Sequence, residues 1–330
     1  MTMRRDGPRH AVIGTCTLSL RNIQDAGVLL ANGLEMIDEM AREAELQGWS
    51  PDMMALPEHF AVPAGSNPFE TGEDLDGRTI AAVAARARAH GSYVVVPMYV
   101  RDGDAVHNSA VLLDRTGEPV GVYHKAFPVV LPDDSVERGI TPGREFPIFE
   151  TDFGRVGLQI CWDVVFDDGW RALAAQEAEL ILFPSAAPTV PLMLSHAYRY
   201  ECYVASSVMR PPSLIVDPQG CPIARSSQDR EAAVARVDLD YRVVPSTFLW
   251  SRGDALKEKY GDIIDWGWHD AEGSCLMTSS DPEMPIGRFL ETEGIMTLSE
   301  WVDYNRRRIR EERGGPPVMP PGVESLEDTP

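Results

Sequence analysis

Three polar residues stand where apolar, strand-like stretches of the chain run out. Glu58 closes Met53-Met-Ala-Leu-Pro-Glu, Lys125 closes Gly121-Val-Tyr-His-Lys, and Cys161 closes Val156-Gly-Leu-Gln-Ile-Cys. Strand ends in α/β sheets are where ligands and reacting groups collect. A carboxylate, an ammonium and a thiol together form a nucleophilic set. Glutamate can serve as general base and cysteine as nucleophile, while a lysine cation favours the thiolate and stabilises a developing oxyanion. Taken singly, each has a plainer reading. A free cysteine is among the most buried residue types, so a lone one at a strand end is core packing roughly four times in five. Glu58 alone could be a surface strand end, and Lys125 a solvated hairpin terminus.

The elements that must position these groups follow from periodicity. His10 to Leu18 reads as a strand, and Ala31 to Gln47 as a helix carrying Leu34, Ile37, Met40, Ala41 and Ala44 on one face with Gly48 as its stop. Asp52 to Glu58 is a buried strand, Gly77 to His90 a second helix, and Tyr93 to Val100 a third strand. This alternation indicates an α/β architecture. Two hairpins follow, Asn108–Leu113 with Pro119–Lys125 and Phe146–Thr151 with Arg155–Ile160. Between them Phe127 to Gly143, with prolines at 128, 132 and 142, has the length of a functional loop. A helix is expected over about Gly169 to Glu179, and strands at Leu180–Phe183, Tyr203–Val208, Ser213–Val216 and Ala233–Leu239. Past Tyr241 the pattern weakens to one clear helix, Leu298 to Arg313, with Thr297 and Glu300 spaced as a capping box and Gly314 as the stop. The proline- and acid-rich residues 315–330 read as a disordered tail.

Composition narrows the class further. The 330 residues are 44% hydrophobic and 25% charged, which suits a globular chain, and no apolar run is long enough to cross a bilayer. Arg4, Arg5 and Arg9 precede no apolar stretch of the kind a signal peptide carries, so a cytoplasmic location is expected. A formal charge of −21 argues against nucleic acid or an anionic membrane as partner, since both require clustered Lys and Arg. The five cysteines, Cys16, Cys161, Cys202, Cys221 and Cys275, form no CxxC pair. Neither a disulfide framework nor a zinc site is expected, and the odd count leaves at least one thiol free in a monomer.

The three polar residues and their flanking text together resemble the nitrilase superfamily, the carbon–nitrogen hydrolases. That family carries a Glu-Lys-Cys triad in this chain order, and the gaps here, 125 − 58 = 67 and 161 − 125 = 36, are similar to its spacing. Leu56-Pro-Glu58 resembles the glutamate motif. Asn108-Ser-Ala-Val-Leu-Leu-Asp and Gly117-Glu-Pro-Val-Gly-Val-Tyr-His-Lys125 resemble the hairpin into the lysine. Gly154-Arg-Val-Gly-Leu-Gln-Ile-Cys161-Trp-Asp163 resembles the cysteine elbow, and Phe183-Pro-Ser-Ala186 the strand after it. Ser213-Leu-Ile-Val-Asp-Pro-Gln-Gly220 and Ala235-Arg-Val-Asp238 look like the closing strands. The family's second glutamate, which helps position lysine and substrate, matches Glu137 in Val136-Glu-Arg-Gly-Ile-Thr-Pro-Gly143. There are departures: His124 stands where Arg often precedes the lysine, Asp167-Asp168 where Pro-Glu often follows the cysteine, and Arg199 where many relatives have Glu.

The resemblance implies a four-layer αββα sandwich over residues 10–241. Residues 242–314 then form a C-terminal extension suited to oligomer contact, and the chain would act as a homodimer or higher homo-oligomer. It further implies a cysteine-dependent hydrolase of amide-type C–N bonds in small molecules, working through a thioester with no metal or organic cofactor. Glu58, Lys125 and Cys161 would be catalytic, with Glu137 assisting. The Trp162 amide would help hold the oxyanion, and His59, Ser185 and Arg199 are candidates to touch substrate. Nitrile and N-carbamoyl hydrolysis on the same fold are the nearest alternatives. Acyl transfer to an amine and a catalytically silent binding role are more distant ones. Trp162-Asp163 resembles the amidase-like branches rather than true nitrilases, and Val164 and Val165 stand where carbamoyl-amino-acid hydrolases place arginines. The expected substrate is therefore an amide with a neutral or apolar acyl group.

Overall fold

Strands buried on both faces need a layer on each side, and that requirement organises Arg9–Leu239. The computed structural model describes residues 8–19, 23–269 and 273–319. These fall into two units, Arg9–Leu239 and a second comprising Pro8 and the described residues from Asp240 onward.

The larger unit opens with β1 (His10–Cys16), α1 (Ala26–Leu46), β2 (Met53–Ala55), α2 (Pro68–Thr71), α3 (Arg78–His90), β3 (Tyr93–Asp102), β4 (Ala105–Leu113) and β5 (Pro119–His124). It continues with β6 (Ile148–Glu150), β7 (Arg155–Leu158), α4 (Asp167–Ala175), β8 (Leu180–Ser185), α5 (Val190–Tyr200), β9 (Tyr203–Val208), β10 (Leu214–Val216), β11 (Pro222–Arg225) and β12 (Ala232–Asp238). One sheet has the order β12-β1-β2-β3-β4-β5 and the other β11-β10-β9-β8-β7-β6. Parallel pairs (β1/β2, β2/β3, β7/β8, β8/β9) lie at the centre of each, and antiparallel pairs close the edges.

Helices α1 and α3 cover one face of the first sheet, setting Leu29, Ile37, Met40, Ile80, Val83 and Ala87 against Met54, Val94, Val96 and Val111. Helices α4 and α5 cover the second, through Trp170, Leu173, Met193 and Ala197 on Ile181, Phe183 and Val204. Intervening strand residues such as Ile13, Val95, Leu112, Leu182 and Ala205 are completely buried as well. Because side chains alternate along a strand, these belong to the opposite faces, which the two sheets turn toward each other. The result is the four-layer αββα sandwich. Each fully buried Leu, Ile or Met contributes about 1.5–3 kcal/mol.

Several expected boundaries move. Helix α1 begins at Ala26, five residues before the expected Ala31, because Asp25 caps it by accepting from the Gly27 and Val28 amides. Gly33 looks like a breaker in sequence but is required within α1: a Cβ there would lie 2.3 Å from the Phe60 ring. The strand expected over Asp52–Glu58 is only Met53–Ala55, so Glu58 sits in the turn beyond it. The helix expected to begin near Gly169 starts at Asp167 and ends at Ala175. Helix α5 has no counterpart in the sequence reading, since Pro191 at its start and the aromatic Tyr198 and Tyr200 obscure its buried face of Met193, His196 and Ala197.

The second unit corrects the expectation of a single helix past Tyr241. It contains β13 (Tyr241–Pro245), α6 (Gly253–Tyr260), β14 (Ile264–His269), β15 (Ser274–Ser279), α7 (Ile286–Glu293) and α8 (Leu298–Arg313). The strands form a sheet ordered β13-β15-β14 over a core of its own that includes Val244, Ile264, Met277, Ile286 and Phe289. Five- and six-residue strands interrupted by Pro245 and Gly267 leave too little alternation to read. Helix α8 occupies the expected span, with its Thr297/Glu300 capping box formed and Gly314 left-handed at φ 75°. Residues 315–319 carry no helix or strand, and the rest of the expected tail lies outside the described residues.

Candidate active site

Glu58, Lys125 and Glu137 meet in one hydrogen-bonded group. Pro57 carries the chain out of β2 into the turn that holds Glu58, whose side chain is 2% exposed. Lys125 follows β5, tied by its amide to Asn108 O at 2.8 Å and by its carbonyl to the Gly143 amide at 2.8 Å. Its ammonium donates to Glu58 Oε1 at 3.0 Å and to Glu137 Oε2 at 2.9 Å. Asn108 spans the same two acids, donating to Glu58 Oε1 at 2.9 Å and Glu137 Oε1 at 2.7 Å. Glu58 Oε2 accepts from the Ala186 amide at 3.0 Å. Glu137 is pinned in its loop by Val129, whose N–H reaches Oε2 at 3.2 Å and whose carbonyl takes the Glu137 amide at 2.7 Å.

Cys161 opens a short 3-10 turn, Cys161–Val165, three residues beyond β7, and has φ 47°. A non-glycine residue in this region is held there by its surroundings, and such strain clusters at functional turns. Trp162, second in the turn, has an amide of the kind that helix starts leave without an intrahelical acceptor.

The charges of the group are set by one another. Burial alone would raise the Glu58 carboxyl; Lys125, then His59 and the Asn108 hydrogen bond, outweigh it and hold the group at about 2. Burial would lower the Lys125 ammonium, yet Glu58, Cys161 and Glu137 keep it well above the ordinary lysine range. Burial, with the Glu58 charge next, pushes the Cys161 thiol up to about 12, while Lys125, the Ser185 hydroxyl and the Ala186 amide favour its thiolate. The resting state is thus carboxylate, ammonium and thiol. Glu58, His59 and Glu137 have ligand atoms within 4.8 Å of one another, a spacing that fits a cation. Lys125 already lies between the two carboxylates and neutralises them from within the chain.

Glu58, Lys125, Glu137, Cys161 and His59 all line one cavity of about 510 Å³. His59, at φ 58°, packs at a tilt on Tyr99 with ring centres 4.8 Å apart, its Nε2 3.7 Å from Glu58 and 3.9 Å from Glu137. Burial lowers its pKa and favours the neutral ring. Ser185 lies wholly buried behind the cavity wall, its hydroxyl bonded to Ala187 O at 2.6 Å. The Trp162 side chain is 41% exposed and lies off the cavity. Arg199 has to be corrected as a candidate for substrate contact. It sits on the outer side of α5, paired with Asp167 at 3.3 Å, and does not line the cavity. The two valines behind the expected neutral acyl group do not face the cavity either. Val164 is fully buried in the core under α4 and α5, and Val165 is half-exposed elsewhere.

The sequence reading did not single out Asn108, Asp163, Arg138 or Arg210 for the site. Asn108 could have been found from the hairpin, because it faces the chain end that becomes Lys125. Asp163 is completely buried, accepting from Ile160 N at 2.8 Å, the Tyr123 hydroxyl at 2.7 Å and Phe127 N at 2.9 Å. It cannot touch a substrate, so its part is to shape the turn. Arg138 and Arg210 line the cavity, and no local pattern marks either one.

Residues 12–244 match the model of the carbon–nitrogen hydrolase family, and the chain belongs to that family. It is similar to a citrullinase of Francisella tularensis, 31% identical over 139 residues, a stretch that covers 40% of this chain and 47% of the relative. The human deaminated glutathione amidase is 29% identical over 236 residues, 62% of this chain and 71% of that one. Among solved structures, a Saccharomyces cerevisiae member of branch 10 of the nitrilase superfamily shares the fold at a TM-score of 0.60 and 19% identity, covering 79% of this chain and 98% of that one.

Proposed function

We propose that this member of the carbon–nitrogen hydrolase family cleaves a non-peptide amide C–N bond of a small molecule through a thioester on Cys161. The observation that carries the reading is the Lys125 ammonium, held between Glu58 and Glu137 on the wall of the cavity that Cys161 also lines. A cation fixed by two carboxylates cannot drift, and it faces the place where an attacked carbonyl would gain charge.

In the first half-reaction the Cys161 sulfur bonds to the carbonyl carbon and its proton passes to Glu58. Burial and the Glu58 charge favour the Cys161 thiol, while Lys125 and His59 favour the Glu58 carboxylate, so moving the proton to Glu58 before attack is unfavourable. Proton transfer therefore accompanies C–S bond formation, as the sulfur becomes more acidic. The carbonyl π electrons move to oxygen, held by Lys125 and the Trp162 amide. Collapse breaks the C–N bond, Glu58 returns the proton to nitrogen, and ammonia or amine leaves. Water then attacks the thioester, giving a proton to Glu58. The C–S bond breaks, Cys161 recovers its proton, and the carboxylic acid departs. Glu137 and Asn108 keep Lys125 and Glu58 in register throughout.

Ammonia release from a panel of primary amides, nitriles and carbamoyl compounds tests the reading, together with intact-protein mass spectrometry for the acyl adduct. Turnover should vanish in Cys161→Ala and nearly vanish in Glu58→Gln and Lys125→Ala, because groups that act as a unit fail together. Full activity in Cys161→Ala, or no amide turnover and no adduct in the native chain, would overturn it.

A further inference from the structure

We propose that Arg138 and Arg210 form an anion-recognition subsite, so that the amide substrate carries a carboxylate away from the bond that is cleaved. The inference rests on the amide-cleaving reading above and names the class of substrate it takes. Both arginines line the cavity that holds Glu58, Lys125 and Cys161. Neither makes an ion pair among the described residues, in a chain with 51 acidic side chains against 30 basic ones. Arg138 is aimed by its backbone. Glu137 at φ 27° and Arg138 at φ 61° are consecutive left-handed residues, a costly arrangement that splits two neighbouring side chains to separate tasks. Glu137 grips Lys125, while Arg138 turns to the cavity and donates one N–H to Ser66 O at 2.6 Å, leaving its other donors available. Arg210 follows β9 on the wall that also carries Met209 and Ala186.

The charges of the lining decide what this is for. Glu58 and Glu137 are offset in part by Lys125, and the two guanidinium groups leave a local excess of one positive charge, with His59 neutral. That excess stands against a chain of formal charge −21, so it does not serve solubility. A cationic substrate would be repelled, and a neutral one would leave both forks to water. A carboxylate is matched bidentately by a guanidinium, and Val62, Pro63, Val129 and Tyr99 on the same wall offer apolar surface to the chain joining it to the amide.

The test measures kcat/KM for two series of amides: monoamides of dicarboxylic acids, and N-carbamoyl derivatives of ω-amino acids. Each acid is paired with the analogue in which an isopropyl group replaces the carboxylate. The acid should be favoured by about tenfold to a hundredfold in at least one series, the range of a charge-assisted pair. That ratio should fall toward one in Arg138→Gln and Arg210→Gln, and Arg210→Lys should restore part of it. A native ratio of one or below in both series, or Gln variants that keep the native ratio, overturns the subsite. If no amide turns over at all, the amide reading fails, and calorimetry with glutarate decides the subsite separately. Binding that both Gln variants lose supports it, and no binding to the native chain overturns it.

Discussion

The Asp163 carboxylate accepts a 2.7 Å hydrogen bond from the Tyr123 hydroxyl, joining a residue two places after Cys161 to one two places before Lys125. The same carboxylate takes the amide of Ile160, just before Cys161, and that of Phe127, two residues after Lys125. One buried side chain thus sets the distance between the thiol turn and the strand end bearing the ammonium, although neither Asp163 nor Tyr123 reaches the cavity.

Asp163→Asn should therefore impair catalysis out of proportion to its size. The carboxylate receives two backbone donors on different oxygens, so whichever way the amide is turned, its NH2 meets an N–H. Stability should fall by about 1–3 kcal/mol, and kcat by roughly ten- to a hundredfold, since small misplacements of reacting groups are expensive. Thermal unfolding and steady-state kinetics check this, and a native kcat would remove the positioning role.

Two buried carboxyls should give the stability curve limbs of opposite sign. Glu58 is held at about 2 in the fold against an ordinary 4.5, so its contribution is present above about 4.5 and disappears as the pH falls toward 2. Asp163 is pushed by burial up to about 6 against an ordinary 3.8. Its contribution is complete below about 3.8 and is lost as the pH rises through 6. Chemical denaturation across this range should find a flatter acid limb in Glu58→Gln and a flatter slope between about 4 and 6 in Asp163→Asn. Slopes unchanged from the native protein would contradict both assignments.

Gly143 gives a steric prediction. A Cβ at this position would stand 2.1 Å from the His124 carbonyl oxygen, a backbone atom with no freedom to withdraw, while the Gly143 amide bonds the Lys125 carbonyl. Gly143→Ala must push the end of the loop off the strand that delivers Lys125. It should cost about 1–3 kcal/mol, the range for overpacking a filled site, and lower kcat with it. A variant with native melting temperature and native kcat would show that the loop can shift freely.

Glu58, Lys125 and Cys161 were legible as candidates because each follows within three residues of a strand, where a polar residue interrupts the strand's local pattern. Apolar runs likewise placed β1, β3 and β9 within a few residues, and helical spacing with end signals placed α3 and α8. Apolar pattern failed elsewhere. The start of α1 is set by Asp25, which caps it five residues before the expected Ala31, and α5 hides its inward face among aromatics. In the site, the sequence singles out residues at strand ends but cannot tell which way a loop residue turns. Val164, three residues after Cys161, points into the core, while Arg138, 26 residues before Val164 in the chain, faces the cavity. That orientation is set by Glu137 and Arg138, two left-handed residues that are not glycine, just before the left-handed Gly139.

Helix α8 supports a last prediction, on assembly. Its 16 residues are capped at both ends, by Thr297 with Glu300 and by the left-handed Gly314, yet none of them is buried. Val302 and Ile309 are 40% and 48% exposed, and Trp301 stacks on Tyr304 at 5.4 Å. Trp301 also packs edge-on against Phe248 at 5.1 Å, which leaves Val302 and Ile309 uncovered. Because helical stability comes mostly from packing an apolar face, these two are suited to meet another copy of the chain. The native protein should run as a dimer or larger species in light scattering at micromolar concentration. Removing residues 297–330 should shift it toward monomer, and turnover should change less than assembly does. Val302→Asp combined with Ile309→Asp should have the same effect without shortening the chain, which separates loss of contact from loss of folding. Because the chain carries a formal charge of −21, association should strengthen with added salt as self-repulsion is screened. A native monomer at these concentrations, or a double-Asp variant that assembles like the native chain, would remove α8 from any interface.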